Sequence, residues 1–168
     1  ISGATPSKVN CSFSGHLARF GRYYGQTPDY KRENYYVQYY RYIYRYTIGS
    51  NGCINTNYSS RTYVGNWYYS YGMDHHPSNE LILYGSDWRN HRVTKVTLNS
   101  SRNGYTEIKN VGRYGRNASK TGNVRMYGPW GVTVDKTNNR VLSTSYYKQS
   151  VQAFDLDLNF DKEFGGSA

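Results

Sequence analysis

GPWGVTVDKTNNRVLSTSYYKQSVQAFDLDLNFDKEFGG, residues 128–166, is the most regular stretch of this sequence. Apolar and polar residues alternate in short runs such as Val132-Thr133-Val134, which is the period of a β-strand with one buried face. Asn, Asp, Gly and Ser separate the runs, and these residues favour tight turns. The stretch predicts three or four short strands, with helix as a minor component at most.

The same unit recurs along the chain. An aromatic or apolar residue followed by glycine ends each copy, at Gly21, Gly65, Gly115 and Gly165, so that the intervals are 44, 50 and 50 residues. A short apolar-patterned run precedes each glycine, and these runs read VNCSF, IYRYTI, VTKVTL and VQAFDL. A constant order of runs with loops of variable length is typical of a repeated supersecondary unit. A unit of this length with about four strands has the size of a β-propeller blade.

The residues also resemble a known repeat family. Residues 128–166 are similar to an NHL repeat, whose pattern runs Pro-x-Gly-Val-x-Val-Asp, a turn, an apolar strand, Asp-x-x-Asn-x-Arg-Val-x-x-Phe and a final Phe-Gly. The stretch LYGSDWRNHRVTKVTL matches the second half of that pattern through Asp87, Asn90 and Arg92. In such repeats these three residues define the fold and not a site, so we interpret them as structural bracing of a turn.

The resemblance is strongest over residues 66–168. In the earlier part, YYVQYYRYIYRYTIGSNG keeps the strand spacing and lacks the Asp, Asn and Arg. The last unit also departs from the pattern, with Ser145, Lys148 and Ser150 at the three polar positions. We therefore expect its turn to be braced by different contacts.

These observations predict an all-β fold, a β-propeller of four-stranded blades with about three blades and part of a fourth. The predicted divisions are residues 1–21 as closing strands of a preceding blade, 22–65 as a degenerate blade, and 66–115 and 116–168 as blades. The resemblance implies a six-bladed ring, which needs about 270 residues at roughly 45 per blade. The 168 residues form an incomplete ring on this interpretation. The missing blades would come from further sequence of the chain, which the start within a blade favours, or from a second copy.

The balance of charge favours an anionic partner. Twenty-one Lys and Arg against eleven Asp and Glu give a net charge of +10 at pH 7. Such a charge attracts nucleic acid, sulfated glycan or a membrane surface and does not specify a fold. No apolar run approaches the roughly 18 residues that a membrane-spanning helix needs, so we expect no membrane span.

Cysteine and sequon usage bear on the compartment. The two cysteines, Cys11 and Cys53, could form one disulfide or remain free thiols. Four Asn-x-Ser/Thr sequons, the acceptors of N-linked glycans, occur at Asn10, Asn57, Asn99 and Asn117. Three of the four lie in polar stretches between apolar runs, where a glycan fits. The sequence favours an extracellular glycoprotein, with a cytoplasmic location as the alternative.

The densest run of tyrosine is the candidate ligand-binding element. Strand alternation places four tyrosines on one face and Arg41 and Arg45 on the other, where aromatic rings and guanidinium groups could contact sugars, bases, sulfate or phosphate. The candidate residues are Tyr40, Arg41, Tyr42, Tyr44, Arg45 and Tyr46. The alternative is that tyrosine simply fills strands and the spaces between blades in this protein.

No catalytic or metal site is predicted. His75 and His76 are adjacent, so in a strand they point to opposite faces and cannot converge on one metal ion. Asp74 and Asp135 take equivalent places in two units, without a third or fourth acidic partner. The sequence has neither a Gly-x-Ser-x-Gly nucleophile motif nor a phosphate-binding loop.

We expect a non-enzymatic extracellular propeller segment that binds proteins or anionic glycans, without a cofactor. Its tyrosine content also resembles that of secreted matrix proteins. The first alternative is a cytoplasmic RNA-binding propeller of the NHL type, which would use the basic residues Arg41, Arg45, Arg89, Arg92, Arg113 and Arg116. The second is a propeller lyase or lactonase whose site lies in the missing blades.

Overall fold

The computed structural model describes residues 25–115 and 124–166. Three four-stranded antiparallel sheets make up most of this part of the chain, and in each sheet the strands pair in sequence order. Sheet 1 contains β1 (Gln26–Pro28), β2 (Asn34–Tyr39), β3 (Tyr42–Thr47) and β4 (Ser60–Tyr63). Sheet 2 contains β5 (Met73–His75), β6 (Ile82–Asp87), β7 (Arg92–Leu98) and β8 (Tyr105–Val111).

Two short parallel strands, β9 (Arg113–Tyr114) and β10 (Arg125–Met126), lie between sheets 2 and 3 in the sequence. Sheet 3 contains β11 (Pro129–Asp135), β12 (Arg140–Ser145), β13 (Ser150–Asp155) and β14 (Phe160–Gly165). A single 3-10 turn, Tyr146–Lys148, is the only helical element in the described ranges. The prediction of an all-β fold built from four-stranded sheets is confirmed. None of the described helical residues forms a segment long and apolar enough to cross a membrane.

Asp and Asn side chains build many of the turns. In the β11–β12 turn, the carboxylate of Asp135 accepts hydrogen bonds from the backbone N–H groups of Thr137 and Asn138 and from the Asn138 side chain. Short polar side chains that bond their own turn stabilise it without help from elsewhere. The same arrangement recurs in the pairs Asp29 with Asn34, Asp87 with Asn90 and Asp155 with Asn159.

The sheets pack face to face through two apolar layers. Between sheets 1 and 2 lie buried residues from both, including Tyr36, Ile43, Leu83 and Val96, with Trp67 from the connecting segment. A second layer between sheets 2 and 3 is formed by Tyr84, Val93, Val124, Met126, Val132, Val134, Val141, Phe154 and Leu158. The opposite face of sheet 1 carries a third cluster of tyrosines around Val37, Tyr44 and Tyr46.

The first strands of the three sheets lie side by side, with β5 between β1 and β11. Two glycines allow this close approach. A Cβ atom on Gly25 would lie 2.4 Å from Ser70 Oγ, and one on Gly72 would lie 2.3 Å from the backbone nitrogen of Val132. Real Cβ atoms do not come so near to other heavy atoms, so each of these positions requires glycine.

Polar contacts join the first strands as well. His75 of β5 contacts Thr27 Oγ1 of β1 through Nδ1 at 3.1 Å, and its Nε2 lies 3.0 Å from Lys136 Nζ beyond β11. The Asp74 carboxylate accepts a 2.7 Å hydrogen bond from the backbone of Val134. Burial opposes ionisation of Asp74, but the hydrogen bonds from His75 and Val134 hold its pKa below the ordinary value.

Strand register shows that Asp74 and Asp135 do not take equivalent places in their sheets. Asp74 pairs with Tyr84 in sheet 2, and the residue at the corresponding place in sheet 3 is Thr133, which pairs with Leu142. Asp135 lies two residues further along and ends its strand, where it forms the turn described above. The predicted equivalence of Asp74 and Asp135 is therefore wrong.

Candidate functional site

The sheets have two chemically different ends. At one end lie the turns between the second and third strand of each sheet and the segments that lead into β5 and β11. We call this the aromatic end. At the other lie the turns between first and second and between third and fourth strands, and we call it the polar end. The names describe their side chains.

The aromatic end carries a band of rings in two groups, with ring contacts inside each group: Tyr39, Tyr40, Tyr68 and Tyr69 form the first, and the rings from Tyr71 onward form the second. Centroid distances between neighbouring rings range from 4.2 Å for Tyr71 and Trp130 to 6.4 Å for Tyr68 and Tyr69. We call this set the aromatic band, and its members are Tyr39, Tyr40, Tyr68, Tyr69, Tyr71, Trp88, His91, Tyr114, Tyr127, Trp130, Tyr146 and Tyr147. Residues from all three sheets and from both connecting segments contribute to it.

Two guanidinium groups flank one ring of the band. The guanidinium carbons of Arg41 and Arg89 lie 4.9 and 5.2 Å from the centroid of Tyr68, and Arg41 Nε donates a hydrogen bond to the Tyr68 hydroxyl. Hydrogen bonds to Tyr68 and Tyr63 raise the pKa of Arg41. Both arginines are exposed, so cation and aromatic ring are presented together to a ligand.

The second group of rings in the band contains a stacked pair, Tyr71 and Trp130. The rings of Tyr71 and Trp130 are nearly parallel, with an interplanar angle of 4°. Trp130 is 45% exposed, and the neighbouring Tyr146 is 61% exposed. A cavity of about 540 Å³ opens beside Trp130 and Tyr146 and is bordered by Gln149, Val151 and Phe164. Flat apolar rings next to an amide group suit a ligand with alternating apolar and polar surface.

Buried Asp87 holds the first half of the band in place. It accepts hydrogen bonds from the backbone of Tyr68, from the Asn90 side chain and from Arg92 Nε, the last at 2.8 Å. Asn90 and Arg92 also donate to the carbonyl oxygen of Asn66. Burial raises the pKa of Asp87, although these partners oppose the shift. The three residues thus brace the segment that carries Tyr68 and Tyr69.

Two further side chains fix the rest of that segment. Gln38 accepts a hydrogen bond from the Ser70 backbone and donates to the carbonyl oxygens of Tyr40 and Trp67. Ser86 Oγ accepts hydrogen bonds from the backbone N–H groups of Tyr71 and Gly72. A loop whose backbone is bonded to three buried side chains presents its tyrosines at low entropic cost on binding.

Sheet 3 uses other residues for the same purpose. Ser145 stands where sheet 2 has Asp87, and its hydroxyl accepts from the backbone nitrogen of Tyr127 at 2.9 Å and donates to its carbonyl oxygen at 3.1 Å. Lys148, at the place of Asn90, is buried and paired with Glu163 at 2.6 Å. The last unit was expected to be braced by different contacts, and these contacts are the bonds of Ser145 to Tyr127 and of Lys148 to Glu163.

His91 links sheet 2 to the segment that enters sheet 3. Its Nδ1 accepts a 3.1 Å hydrogen bond from the backbone N–H of Gly128, and its ring lies against Tyr114 and Tyr127. Burial lowers the pKa of His91, with Asp87 opposing the shift. The bond from Gly128 requires a lone pair on Nδ1, so the neutral form fits this site.

The aromatic end is also cationic. Its described segments are residues 40–41, 64–72, 88–91, 112–115, 124–130 and 146–149, and they contain no Asp or Glu. They do contain Arg41, Arg89, Arg113 and Arg125, together with Lys148, which is buried against Glu163. Asp87, which directly precedes residues 88–91, is paired with Arg92, and Glu163 is paired with Lys148. An anionic ligand therefore meets positive charge and aromatic rings on one surface.

The predicted tyrosine run is divided by the structure. Tyr40 and Arg41 form the β2–β3 turn at the aromatic end, whereas Tyr44 and Tyr46 are buried in the outer cluster of sheet 1. Tyr42 is half-buried beneath Arg61, and Arg45 Nε donates to Ser60. Only the first two of the six candidates lie on the aromatic band or next to it.

Other members of the band were not singled out from the sequence, above all Tyr71, Trp88 and Trp130. A signal for them does exist, because an aromatic residue precedes or follows each turn at this end, as in Tyr39-Tyr40, Trp88 and Tyr146-Tyr147. The remaining predicted cations differ in role: Arg92 is bonded to Asp87, Arg113 is exposed in β9, and Arg116 lies outside the described residues.

The cysteine and sequon predictions fall partly outside the described ranges. Cys53 is disulfide-bonded, and the chain has one other cysteine, Cys11, which is not among the described residues. Asn10 and Asn117 also lie outside them. Asn57 and Asn99 lie in loops at the polar end. Within residues 25–115 and 124–166, no three His, Cys, Asp or Glu side chains form a group that could hold a metal ion.

Comparisons with known proteins bear on the fold alone. No family model and no curated protein matches the sequence. A protein of unknown function from Desulfotomaculum acetoxidans superposes on 85% of the chain with a TM-score of 0.59 at 10% identity. Hydrazine synthase of Kuenenia stuttgartiensis superposes on 96% with the same TM-score at 8% identity. The matches span 42% and 39% of those longer chains, so this chain covers about two fifths of either structure.

Proposed function

We propose that the three sheets are consecutive blades of an NHL-like β-propeller and that the chain is an extracellular, non-enzymatic module that binds anionic glycans through its aromatic end. Four-stranded meanders with adjacent first strands support the blade arrangement. Repetition of the required glycine at the start of sheets 1 and 2 supports it too, since Gly25 and Gly72 each contact the next unit. Further blades would complete the ring.

The observation that carries the binding proposal is the flanking of Tyr68 by Arg41 and Arg89 within the aromatic band. Guanidinium groups bind sulfate and carboxylate through paired N–H donors, and aromatic faces pack against the apolar faces of sugar rings. An extended glycan could contact several rings in succession, because the band crosses all three sheets.

The disulfide at Cys53 favours a glycan over RNA as the ligand. Structural disulfides persist in extracellular and other oxidising compartments and are rare in the cytosol. An RNA-binding surface of similar composition would also combine bases stacked on tyrosine with arginine contacts. RNA is therefore the second candidate, and the binding experiment includes it.

Binding of a sulfated oligosaccharide, measured by calorimetry at several salt concentrations, tests the proposal. We expect the double variant Arg41→Gln/Arg89→Gln to bind roughly tenfold or more weakly, and its affinity to depend less steeply on salt. The matched control is Lys31→Gln/Arg32→Gln, which removes the same charge from the polar end and should change affinity by a factor of about two.

The competing ligands separate the two candidate functions. The desulfated oligosaccharide should bind more weakly than the sulfated one, because it lacks the groups that the guanidinium pair recognises. Equal weakening in both double variants would show attraction to net charge alone and contradict the site. Tighter binding of a single-stranded RNA than of the sulfated glycan would overturn the glycan proposal in favour of RNA.

A further inference from the structure

The two sequons within the described ranges have very different surroundings. Asn57-Tyr58-Ser59 lies in the loop between β3 and β4, and Asn99-Ser100-Ser101 begins the turn between β7 and β8. N-linked attachment replaces a hydrogen of the side-chain amide nitrogen, so the folded chain must leave room at that atom. The state of each Asn Nδ2 therefore distinguishes the two sites.

The amide of Asn99 is bonded within its own turn. Its Oδ1 accepts hydrogen bonds from the backbone of Asn103 at 3.2 Å and of Gly104 at 3.4 Å, and its Nδ2 donates to Asn103 Oδ1 at 3.0 Å. A Cβ atom on Gly104 would lie 2.9 Å from the same Nδ2, so the space beside this nitrogen is narrow. A sugar on Nδ2 of Asn99 would have to fit into this narrow space beside the turn.

The same turn also joins sheets 1 and 2. The carbonyl oxygen of Arg102, inside the turn, accepts a 2.7 Å hydrogen bond from Ser60 Oγ of β4. The Arg102 side chain bonds Glu80 at 3.2 Å. Opening the turn at Asn99 would disturb both contacts, which is a cost that folding in the presence of a glycan would have to meet.

Asn57 has none of these constraints. It is exposed, and its side-chain amide makes no hydrogen bond within the part of the chain that the structure describes; only its backbone N–H is bonded, to Asn55 Oδ1 at 3.1 Å. Ser59, the third sequon residue, is exposed as well. The Ile48–Ile54 bridge closes the first part of this loop, and Cys53 within it is disulfide-bonded.

We propose that Asn57 carries an N-linked glycan and that Asn99 does not. The disulfide four residues before Asn57 forms in the oxidising, secretory environment in which such glycans are attached. In the reaction, Nδ2 of Asn57 bonds to the anomeric carbon of a lipid-pyrophosphate-linked oligosaccharide. The bond from that carbon to the pyrophosphate oxygen breaks, the lipid pyrophosphate leaves, and the amide loses one proton.

This placement leaves the binding surface open. Asn57 lies in a third-to-fourth strand connection, which is at the polar end, so its glycan would project away from the aromatic band. The inference rests on the extracellular location in the proposed function. Glycan mapping needs no ligand, and the binding assay works on enzymatically deglycosylated protein, so a failure of one leaves the other to be judged separately.

Site-resolved mass spectrometry tests the inference. The full chain is secreted from eukaryotic cells, deglycosylated by peptide:N-glycosidase in heavy-oxygen water, and digested, so that each formerly glycosylated Asn appears as labelled Asp. We expect the label at Asn57 and not at Asn99. Peptide-level detection is needed because Asn10 and Asn117 are sequons too.

Three variants serve as controls, two in the Asn57 sequon and one at Asn99. Asn57→Gln and Ser59→Ala should each remove the glycan from this loop, with secretion and circular dichroism unchanged, because both side chains are exposed. Asn99→Gln should leave the glycan pattern as it is and lower the melting temperature. An unmodified Asn57, or label at Asn99 comparable with that at Asn57, would overturn the proposal.

Discussion

The two ends of the sheets are built on different principles. The β11–β12 turn at the polar end is closed by local contacts, since Asp135 bonds the residues two and three positions later. At the aromatic end, the turns depend on partners far away in the sequence, as where Asp87 holds the backbone of Tyr68, 19 residues earlier. Local turns specify the strand order, whereas the distant contacts fix a surface.

This difference has consequences for stability and for function. An exposed Asp in a local turn can be lost at little cost, because water replaces its contacts. A buried carboxylate that joins a turn to a connecting segment cannot be replaced in this way. We therefore expect substitutions of the buried bracing residues at the aromatic end to act on both the fold and the binding surface, and substitution of a solvated local-turn residue such as Asp135 to act weakly.

Asp87→Ala should have the largest effect. The substitution leaves Arg92 and Asn90 without their shared buried partner, and removal of one member of a buried ion pair costs about 3–5 kcal/mol of unfolding free energy. Urea denaturation measures this loss. The matched control is Asp135→Ala, an Asp of the same turn type that is solvated at the polar end, where a much smaller change is expected.

Similar losses for the Asp87 and Asp135 variants would contradict the distinction between the ends. A second readout is the fluorescence of Trp88, which follows Asp87 in the sequence and contacts Tyr71. It should change in the Asp87 variant alone, since only there does the connecting segment lose its brace.

Gly72→Ala should have the next largest effect. A Cβ atom there would meet backbone atoms of Gly131 and Val132 at 2.3–2.8 Å, and inserting a methyl into such a contact costs about 1–3 kcal/mol. Gly131, at the corresponding place in sheet 3, is the control, because its Cβ would meet only Thr144 Oγ1, at 3.3 Å. Thermal unfolding of both variants measures the difference, and equal destabilisation would show that sheet-to-sheet contact is not the cause.

The sequence predicted the strands because they depend on local patterns. The sequence alone shows the alternation at Val132 and Val134 and the turns in which Asp bonds a nearby Asn. The four-stranded sheets follow from these local patterns. The alignment of β11 with β5 could not be predicted from these local patterns. Asp74 and Asp135 each follow an apolar residue in the sequence. Only the hydrogen-bond register shows that Thr133 occupies the place of Asp74.

The candidate site was harder to predict than the fold. Tyr40 and Tyr46 belong to one run of the sequence, but Tyr40 lies in a turn and Tyr46 is fully buried in the outer cluster of sheet 1. The stack of Tyr71 on Trp130 joins residues 59 positions apart and depends on the packing of sheet 3 against sheet 2. Composition shows that tyrosine is abundant, whereas only the fold determines which rings reach the surface.

A smaller effect is expected from acid. Because burial lowers the pKa of His91 below its unfolded value near 6.5, the unfolded chain binds the proton more readily, and stability falls as pH drops from about 7 through the lowered pKa. Thermal unfolding at pH 7.5 and pH 5 measures this loss. His91→Gln keeps an acceptor for the Gly128 N–H and does not titrate, so its melting temperature should depend less on pH.

His76 at the polar end sharpens this test. Burial lowers its pKa too, with Lys95 adding to the effect, so part of the acid sensitivity should survive in the His91 variant and vanish only in the double variant His91→Gln/His76→Gln. If acid reduces glycan binding in the wild type but not in His91→Gln, the aromatic end is the part that responds. An unchanged pH dependence in the double variant would assign the acid sensitivity to other groups.

The smallest effect concerns two buried tyrosine hydroxyls. Tyr84 donates a 2.7 Å hydrogen bond to the carbonyl oxygen of Leu156, which ties sheet 2 to the last turn of sheet 3, and Tyr84→Phe should cost about 0.5–1.5 kcal/mol. The hydroxyl of Tyr46 is buried without a hydrogen-bond partner in the described structure, so Tyr46→Phe should be neutral or slightly stabilising. Urea denaturation of the two variants side by side gives the comparison. A loss in Tyr46→Phe as large as that in Tyr84→Phe would mean that the outer tyrosine cluster depends on polar contacts as the aromatic end does, and that tyrosine in this protein does more than fill space between strands.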